Sequence, residues 1–142
     1  MGLDELRSQA NPLDYHSRWY ETDPALDDTT RAQLAAANSQ VQAAIVAGEP
    51  SAALGALQPL TSSAHPRVVQ DVSYHIATLH LQSGRVSSAL AAVSTGLAAS
   101  SSPTVFRSRL LALLGSIHEE LGDNSQAHDA YQQAVDANIS RY

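Results

Sequence analysis

The sequence contains no cysteine and no lysine, and aromatic residues make up only 5% of its 142 residues. Without cysteine, the chain can form no disulfide, thiolate metal site or thiol nucleophile. Few aromatic and β-branched residues, beside abundant alanine and serine, favour helix over sheet. No apolar run approaches the roughly 20 residues of a membrane-spanning helix, so no membrane insertion is predicted. No basic stretch followed by an apolar one opens the chain, and we therefore expect a cytoplasmic protein.

Charge is distributed unevenly along the chain. The formal net charge is −6, and all eight basic residues are arginine. Residues 1–28 carry a net charge of −5, whereas the rest of the chain carries −1. Because phosphate backbones bind basic surfaces, nucleic acid is not a predicted partner. Hydrophobic residues amount to 44%, enough to build a core in a chain of this length.

The uneven charge divides the chain into an N-terminal arm, residues 1–28, and a helical domain, residues 29–142. The arm carries most of the acid excess and an aromatic cluster of Tyr15, Trp19 and Tyr20. We predict that these aromatic side chains are the anchors by which the arm docks. They cap the exposed end of a helical stack, or they occupy a groove of this chain or of a neighbour. If the arm occupies a groove of a neighbouring chain, the protein self-associates through the arm.

From Asp28 onward the sequence alternates between helical periodicity and breaks. Glycine and proline punctuate six segments in which apolar residues recur at helical spacing, and no segment shows the alternation of a strand. The predicted helices run from Asp28 or Thr29 to Ala47, from Pro50 to about Leu60, from Pro66 to Gly84, from Val86 to about Leu97, from Pro103 to Gly122, and onward from Asp123.

The six predicted helices form three hairpins that repeat. Their central glycines are 36 and 38 residues apart, and each is followed five residues later by alanine and nine residues later by a larger side chain. The three sets are Gly48, Ala53 and Leu57; Gly84, Ala89 and Val93; Gly122, Ala127 and Tyr131. Glycine permits a tight turn, and alanine permits close approach of two helices. Such a period indicates hairpins that stack to bury a continuous core.

This pattern resembles the tetratricopeptide repeat (TPR) family over roughly residues 30–140. The third hairpin carries the motif most fully, through Leu111, Leu114, Gly115, His118, Gly122, Ala127, Tyr131 and Ala134. Two departures are that Ile139 stands where a closing proline is usual, and that the repeats exceed about 34 residues. The resemblance implies an all-α fold, an α-solenoid of three degenerate repeats with an N-terminal arm.

The resemblance also implies a concave groove, lined by the first helix of each hairpin, that binds a protein or peptide. The family's groove positions correspond here to Asn38, Gln42, Asp71, Tyr74, His75, Thr78, Arg109, Leu113, Ser116 and Glu120. One subclass clamps an acidic chaperone C-terminus with cationic and amide side chains at five of these places. Here they are occupied by Asn38, Gln42, His75, Arg109 and Leu113. A carboxylate needs paired cations to offset its desolvation, which argues against this ligand.

Catalytic and metal-binding interpretations lack support in the sequence. Asp71 and His75 share a helix face at a spacing that metal sites use, but no third ligand is local. His80 and His118 occupy equivalent repeat positions, which indicates a packing role. No nucleophile elbow or phosphate-binding loop is present. We therefore predict no enzyme, no metal and no cofactor.

The resulting prediction is a non-catalytic interaction module, an adaptor or scaffold subunit that binds a peptide or partner subunit and belongs to a larger complex. Alternatives are a self-assembling structural oligomer and a small chaperone specific for one client. A hydrolase or metal-dependent enzyme would need a convergent polar pocket.

Overall fold

Three antiparallel helical hairpins follow a short N-terminal segment in the computed structural model, which describes residues 19–140. A single helical turn precedes the hairpins, and a 3₁₀ turn at Gln58–Ser62 extends the third helix. The helices are α1 Trp19–Thr22, α2 Asp28–Val46, α3 Pro50–Leu57, α4 Pro66–Gln82, α5 Val86–Ala99, α6 Val105–Glu120 and α7 Asn124–Ser140. Residues 19–140 contain no strand. The predicted all-α hairpin architecture is confirmed.

Each hairpin turns at its predicted glycine. Gly48, Gly84 and Gly122 have φ values of +72°, +76° and +81°. At the third turn, the Asp123 N–H donates to the His118 carbonyl at 2.9 Å, and the Gly122 N–H donates to the Glu119 carbonyl at 3.0 Å. This pattern satisfies carbonyls at the end of α6 and requires a left-handed residue at the glycine. The turn therefore sets the angle at which α7 packs back on α6.

Two predicted helix boundaries are wrong. The fifth predicted helix is α6, and it begins at Val105 and not at Pro103, because Thr104 is its N-cap and the Thr104 hydroxyl accepts from the Arg107 N–H at 3.2 Å. The second predicted helix is α3, and it ends as an α-helix at Leu57 and not near Leu60. Pro59 has no N–H to donate into an α-helical ladder, and the chain continues as a 3₁₀ turn.

Small residues lie where the helices come closest. Ala53, Ala89 and Ala127 are at most 2% exposed. Gly115 lies at a close approach, since a Cβ atom there would be 2.7 Å from Cε1 of Tyr131. The hairpins bury a main apolar core, whose large, fully buried members include Leu34, Leu57, Leu79, Leu81, Leu110, Leu113 and Ile117. Leu111, Ala134 and Ala137 form a second, smaller cluster between α6 and α7.

The segment 19–27, called the strap below, packs on this core. Tyr20 and Leu26 are 2% and 5% exposed. From α2, Arg31 donates to the backbone carbonyls of Tyr20 at 3.2 Å and Asp23 at 2.7 Å. The rest of the predicted arm, with Tyr15, lies outside the described residues. The division of the chain after residue 28 stays a prediction.

Among residues 19–140, no helix is long and apolar enough to cross a membrane.

Candidate functional site

The first helices of the hairpins, α2, α4 and α6, carry all ten predicted groove residues. Most of these side chains are already buried by this chain's own packing. Six are buried, namely Asn38, Asp71, His75, Thr78, Leu113 and Ser116. Gln42, Tyr74 and Arg109 are half-buried, and Glu120 is exposed. A partner could therefore reach Gln42, Tyr74, Arg109 and Glu120 without rearrangement. The assignment of all ten to partner binding stays a prediction.

Asp71 on α4 is the centre of the site. Its carboxylate is 1% exposed and lies near three nitrogen donors. Trp19 donates its indole N–H at 3.0 Å, Arg109 lies at 3.4 Å, and His75 Nε2 lies at 3.5 Å. Burial acts most strongly on the Asp71 pKa and raises it, but the hydrogen bonds and charges of His75, Trp19 and Arg109 together hold the pKa below its usual value. Asp71 is thus a buried, ionised acceptor that joins α4, α6 and the strap.

Arg109 is held between this carboxylate and an aromatic ring. Its guanidinium carbon lies 4.0 Å from the centroid of the Tyr74 ring, a cation–π arrangement. The Tyr74 ring in turn meets His75 edge-on, with centroids 5.5 Å apart. About a third of the Arg109 side chain is exposed. Among the predicted groove residues, the stacked Tyr74–Arg109 pair is therefore partly accessible, and the charge of Arg109 is already paired with Asp71.

Trp19 fills the space between α4 and α6. Besides its hydrogen bond to Asp71, its indole packs edge-on against Phe106 of α6 with ring centroids 5.0 Å apart. Trp19 was predicted as an anchor of the arm from its residue type alone. The structure places it against the first helices of the second and third hairpins.

Sequence reasoning missed Arg67 and Asp23. Arg67 at the start of α4 pairs with Asp23 of the strap at 2.6 Å. The Asp23 carboxylate accepts a hydrogen bond from the Ala25 N–H, and this bond is the main cause of its lowered pKa. Burial opposes the shift, and the ion pair with Arg67 lowers the pKa further. The two residues are 44 positions apart, so no local pattern connects them. In the sequence, only the acid excess of the arm indicated that a basic side chain would pair with the arm.

Ser116, another predicted groove residue, bonds inside its own hairpin. Its hydroxyl lies 2.8 Å from the hydroxyl of Tyr131 on α7. The pKa of Tyr131 is raised, mainly by burial. Because Ser116 is only 1% exposed, its role in the structure is to join α6 to α7.

Within residues 19–140, no three side chains of His, Asp or Glu are grouped so that they could hold a metal ion. The Nδ1 atom of His80 accepts from Arg85 at 3.1 Å, and burial, with a smaller effect of Arg85, lowers the His80 pKa.

Of the five positions that would clamp an acidic C-terminus, Leu113 is 1% exposed and Arg109 is paired with Asp71. Neither position therefore offers an unpaired cation to a free carboxylate.

A family model described as a tetratricopeptide repeat-like domain matches residues 23–141. No curated protein and no solved structure matches the chain. The matched range includes all three hairpins and the last five residues of the strap.

Proposed function

The chain belongs to the tetratricopeptide repeat-like family, and from this premise we propose that it is a non-catalytic adaptor or scaffold subunit. Its concave groove binds a short segment of a partner protein and so connects that partner to a larger complex. We also propose a cytoplasmic location, which fractionation of the source cell would test.

One observation supports the proposal: α4 and α6, two of the helices that would line the groove, already contact a segment of this chain's own polypeptide. The indole of Trp19 lies on Phe106 and donates to the buried Asp71 carboxylate, while Arg31 donates to two backbone carbonyls of the strap. A surface that holds an aromatic side chain and main-chain carbonyls has the chemistry of a peptide-binding site.

The half-open part of the groove supplies the contacts for a partner. Tyr74 and Arg109 present an aromatic face and a partly exposed guanidinium, and both are residue types that concentrate binding energy at protein interfaces. By contrast, the outward face of α7 is mostly polar, with Gln132, Gln133 and Asp136 exposed. This polar face suits the end of a stack.

Site-specific photo-crosslinking in the source cell tests this proposal. The photoreactive amino acid p-benzoylphenylalanine replaces Tyr74 in one variant and Gln133 of α7 in a matched control. We expect one stoichiometric partner to crosslink from position 74 and not from position 133. Crosslinks from position 133 alone, or from neither position, would contradict the proposed groove.

Light scattering over a concentration series separates the adaptor from the self-assembling alternative. An adaptor stays at one molar mass in the absence of its partner, whereas a structural oligomer grows with concentration. The comparison needs only the purified full chain.

A further inference from the structure

The strap reaches the second and third hairpins through two side chains one helical turn apart. Trp19 donates to Asp71 at 3.0 Å, and Asp23 pairs with Arg67 at 2.6 Å. Residues four apart on a helical turn lie on the same side, so both groups point at α4 together. Three residues of α4 and α6 receive them, and Arg67, Asp71 and Phe106 are called the cradle below.

The residues of the cradle lie on α4 and α6, outside the strap. Both helices contribute buried side chains to the core that the hairpins share, and Phe106 is partly buried. Arg109 and His75 hold the Asp71 carboxylate in place from the same two helices. The acceptor for the indole is therefore preorganised, which lowers the cost of binding a new donor there.

The strap also makes polar contacts with Arg31, and it makes them through main-chain carbonyl oxygens. Arg31 donates to the carbonyls of residues 20 and 23, which any segment in a short helical turn can offer. Arg67 is about half exposed, so the end of the cradle that receives the carboxylate is open to solvent. The polar side-chain contacts of the strap with α4 thus come from two features, an indole and an acid four residues later, while Tyr20 and Leu26 add buried apolar contact with the core.

We infer that the cradle is a recognition site for a partner segment that carries tryptophan followed four positions later by an acidic residue, and that this chain's own Trp19–Asp23 is a tethered stand-in for it. The inference rests on the proposed function and names the chemistry of its partner. Arg67 complements the acid of such a segment, and a basic residue at that place would be repelled. Because the strap is tethered, it competes with a partner for the cradle at a high effective concentration. A partner therefore binds strongly only when the strap leaves the cradle.

Peptide binding to the full chain tests this inference. The probe is a fluorescein-labelled, end-capped peptide with the sequence of residues 19–27, WYETDPALD. Its fluorescence anisotropy is titrated with the intact chain and with the Trp19→Ala/Asp23→Ala variant, in which both side-chain contacts of the strap to α4 are removed. We expect the peptide to bind the double variant at least about tenfold more tightly than the intact chain.

A second signal comes from the tryptophan itself. Trp19 is the only tryptophan of the chain, so the double variant has none, and the unlabelled peptide carries the only indole in the mixture. Its emission should shift to shorter wavelength when the indole enters the cradle. Peptides with Trp19→Phe or Asp23→Asn should each bind about tenfold more weakly, because each loses a hydrogen bond or ion pair to a charged group.

Variants of the cradle provide the decisive control. Adding Asp71→Asn or Arg67→Gln to the double variant should weaken peptide binding about tenfold, whereas adding the exposed Gln40→Ala of α2 should leave it unchanged. Circular dichroism verifies that each variant is folded. If the double variant fails to fold, the single variant Asp23→Ala replaces it and should still bind the labelled peptide more tightly than the intact chain.

The peptide titrations and the oligomeric state can each overturn the inference. One contrary result is a folded, opened chain that does not bind the peptide, or that binds it equally well with Asp71→Asn. The other is a concentration-dependent dimer of the intact chain that Trp19→Ala abolishes, which would make the cradle a self-association site.

The proposed function fails separately. If no partner crosslinks from position 74 while the peptide still binds the cradle, the site is real and the adaptor role is wrong. Conversely, a partner captured at position 74 that lacks the two-residue pattern would uphold the adaptor and refute this inference.

Discussion

The Asp71 carboxylate makes the stability of the fold depend on pH. Its folded-state pKa lies below the value of about 3.9 expected in the unfolded chain. As the pH falls, the unfolded state therefore binds a proton first, and the free energy of unfolding decreases between about pH 5 and the folded-state pKa. We expect urea unfolding at pH 5 and pH 3 to show a smaller loss for Asp71→Asn than for the intact chain.

Asp23 and Asp27 also have lowered pKa values, so Asp71→Asn should reduce the loss and not abolish it. The exposed Asp129→Asn variant is the matched control and should follow the intact chain. If Asp71→Asn loses as much stability as the intact chain over this pH interval, the folded carboxyl is not held ionised by its three donors.

Two glycines in helices should respond in opposite directions to substitution by alanine. A Cβ at Gly115 would lie 2.7–3.0 Å from three atoms of the Tyr131 ring, whereas a Cβ at Gly55 in α3 would meet nothing within 4 Å. We expect Gly115→Ala to lower the free energy of unfolding by about 1–2 kcal/mol, because the clash outweighs the gain in helix propensity. Gly55→Ala should raise it by about 0.5–1 kcal/mol. Urea denaturation measures both, and two changes of the same sign would contradict the packing described at Gly115.

At the residue scale, the repeat positions could be predicted and the strap contacts could not. The Gly122, Ala127 and Tyr131 offsets follow from hairpin geometry, which is local in sequence. The pairs Trp19–Asp71 and Asp23–Arg67 join residues 52 and 44 positions apart. They depend on how the strap crosses the stacked hairpins, and no periodicity within one helix encodes that path.

The start of α6 tests the structure at the scale of an element. The Thr104 hydroxyl accepts from the Arg107 N–H, one of the four N–H groups at a helix start that lack an intrahelical partner. We expect Thr104→Ala to lower the free energy of unfolding by about 1 kcal/mol. The matched control Ser102→Ala, at an exposed position of the same loop, should change it by less than about 0.5 kcal/mol. An equal effect of the two substitutions would place the cap elsewhere.

Helix existence was easier to predict than helix ends. Apolar spacing indicated six helices, and residues 19–140 contain six helices of eight or more residues, whose hairpins turn at the predicted glycines. The last helix was predicted to run onward from Asp123; it begins at Asn124, and the Asp123 carboxylate accepts from the Gln126 N–H at 3.2 Å. Pro103 failed as a helix start because proline suits both the first turn and the loop before a cap. Only the hydroxyl contact of Thr104 distinguishes these alternatives.

Across the whole molecule, the strap contacts all three hairpins, including the first and the third, which are not neighbours in the chain. In a simple stack each hairpin touches only its neighbours, and the ends can unfold separately. Here the strap meets Arg31 of the first hairpin, Arg67 and Asp71 of the second, and Phe106 of the third. These contacts add a link between the first and third hairpins, which favours unfolding as one unit.

The emission of Trp19 and circular dichroism at 222 nm report on two different parts of this unit. Trp19 senses the strap on α4 and α6, whereas circular dichroism senses all helices. We expect the two urea transitions of the intact chain to coincide, as in two-state unfolding. In Arg67→Ala, the nearly buried Asp23 carboxylate loses its closest cation, and the Trp19 transition should move to lower urea than the helical one.

The control for this separation is Gln40→Ala, an exposed change on α2 that should leave both transitions superimposed. Coincident transitions in Arg67→Ala would mean that the Arg67–Asp23 pair does not hold the strap, and that the apolar contacts of Tyr20 and Leu26 are sufficient. Separate transitions in the intact chain would mean that the strap detaches while the hairpins remain folded. The contacts of Arg31, Asp71 and Phe106 would then not join the three hairpins into one cooperative unit.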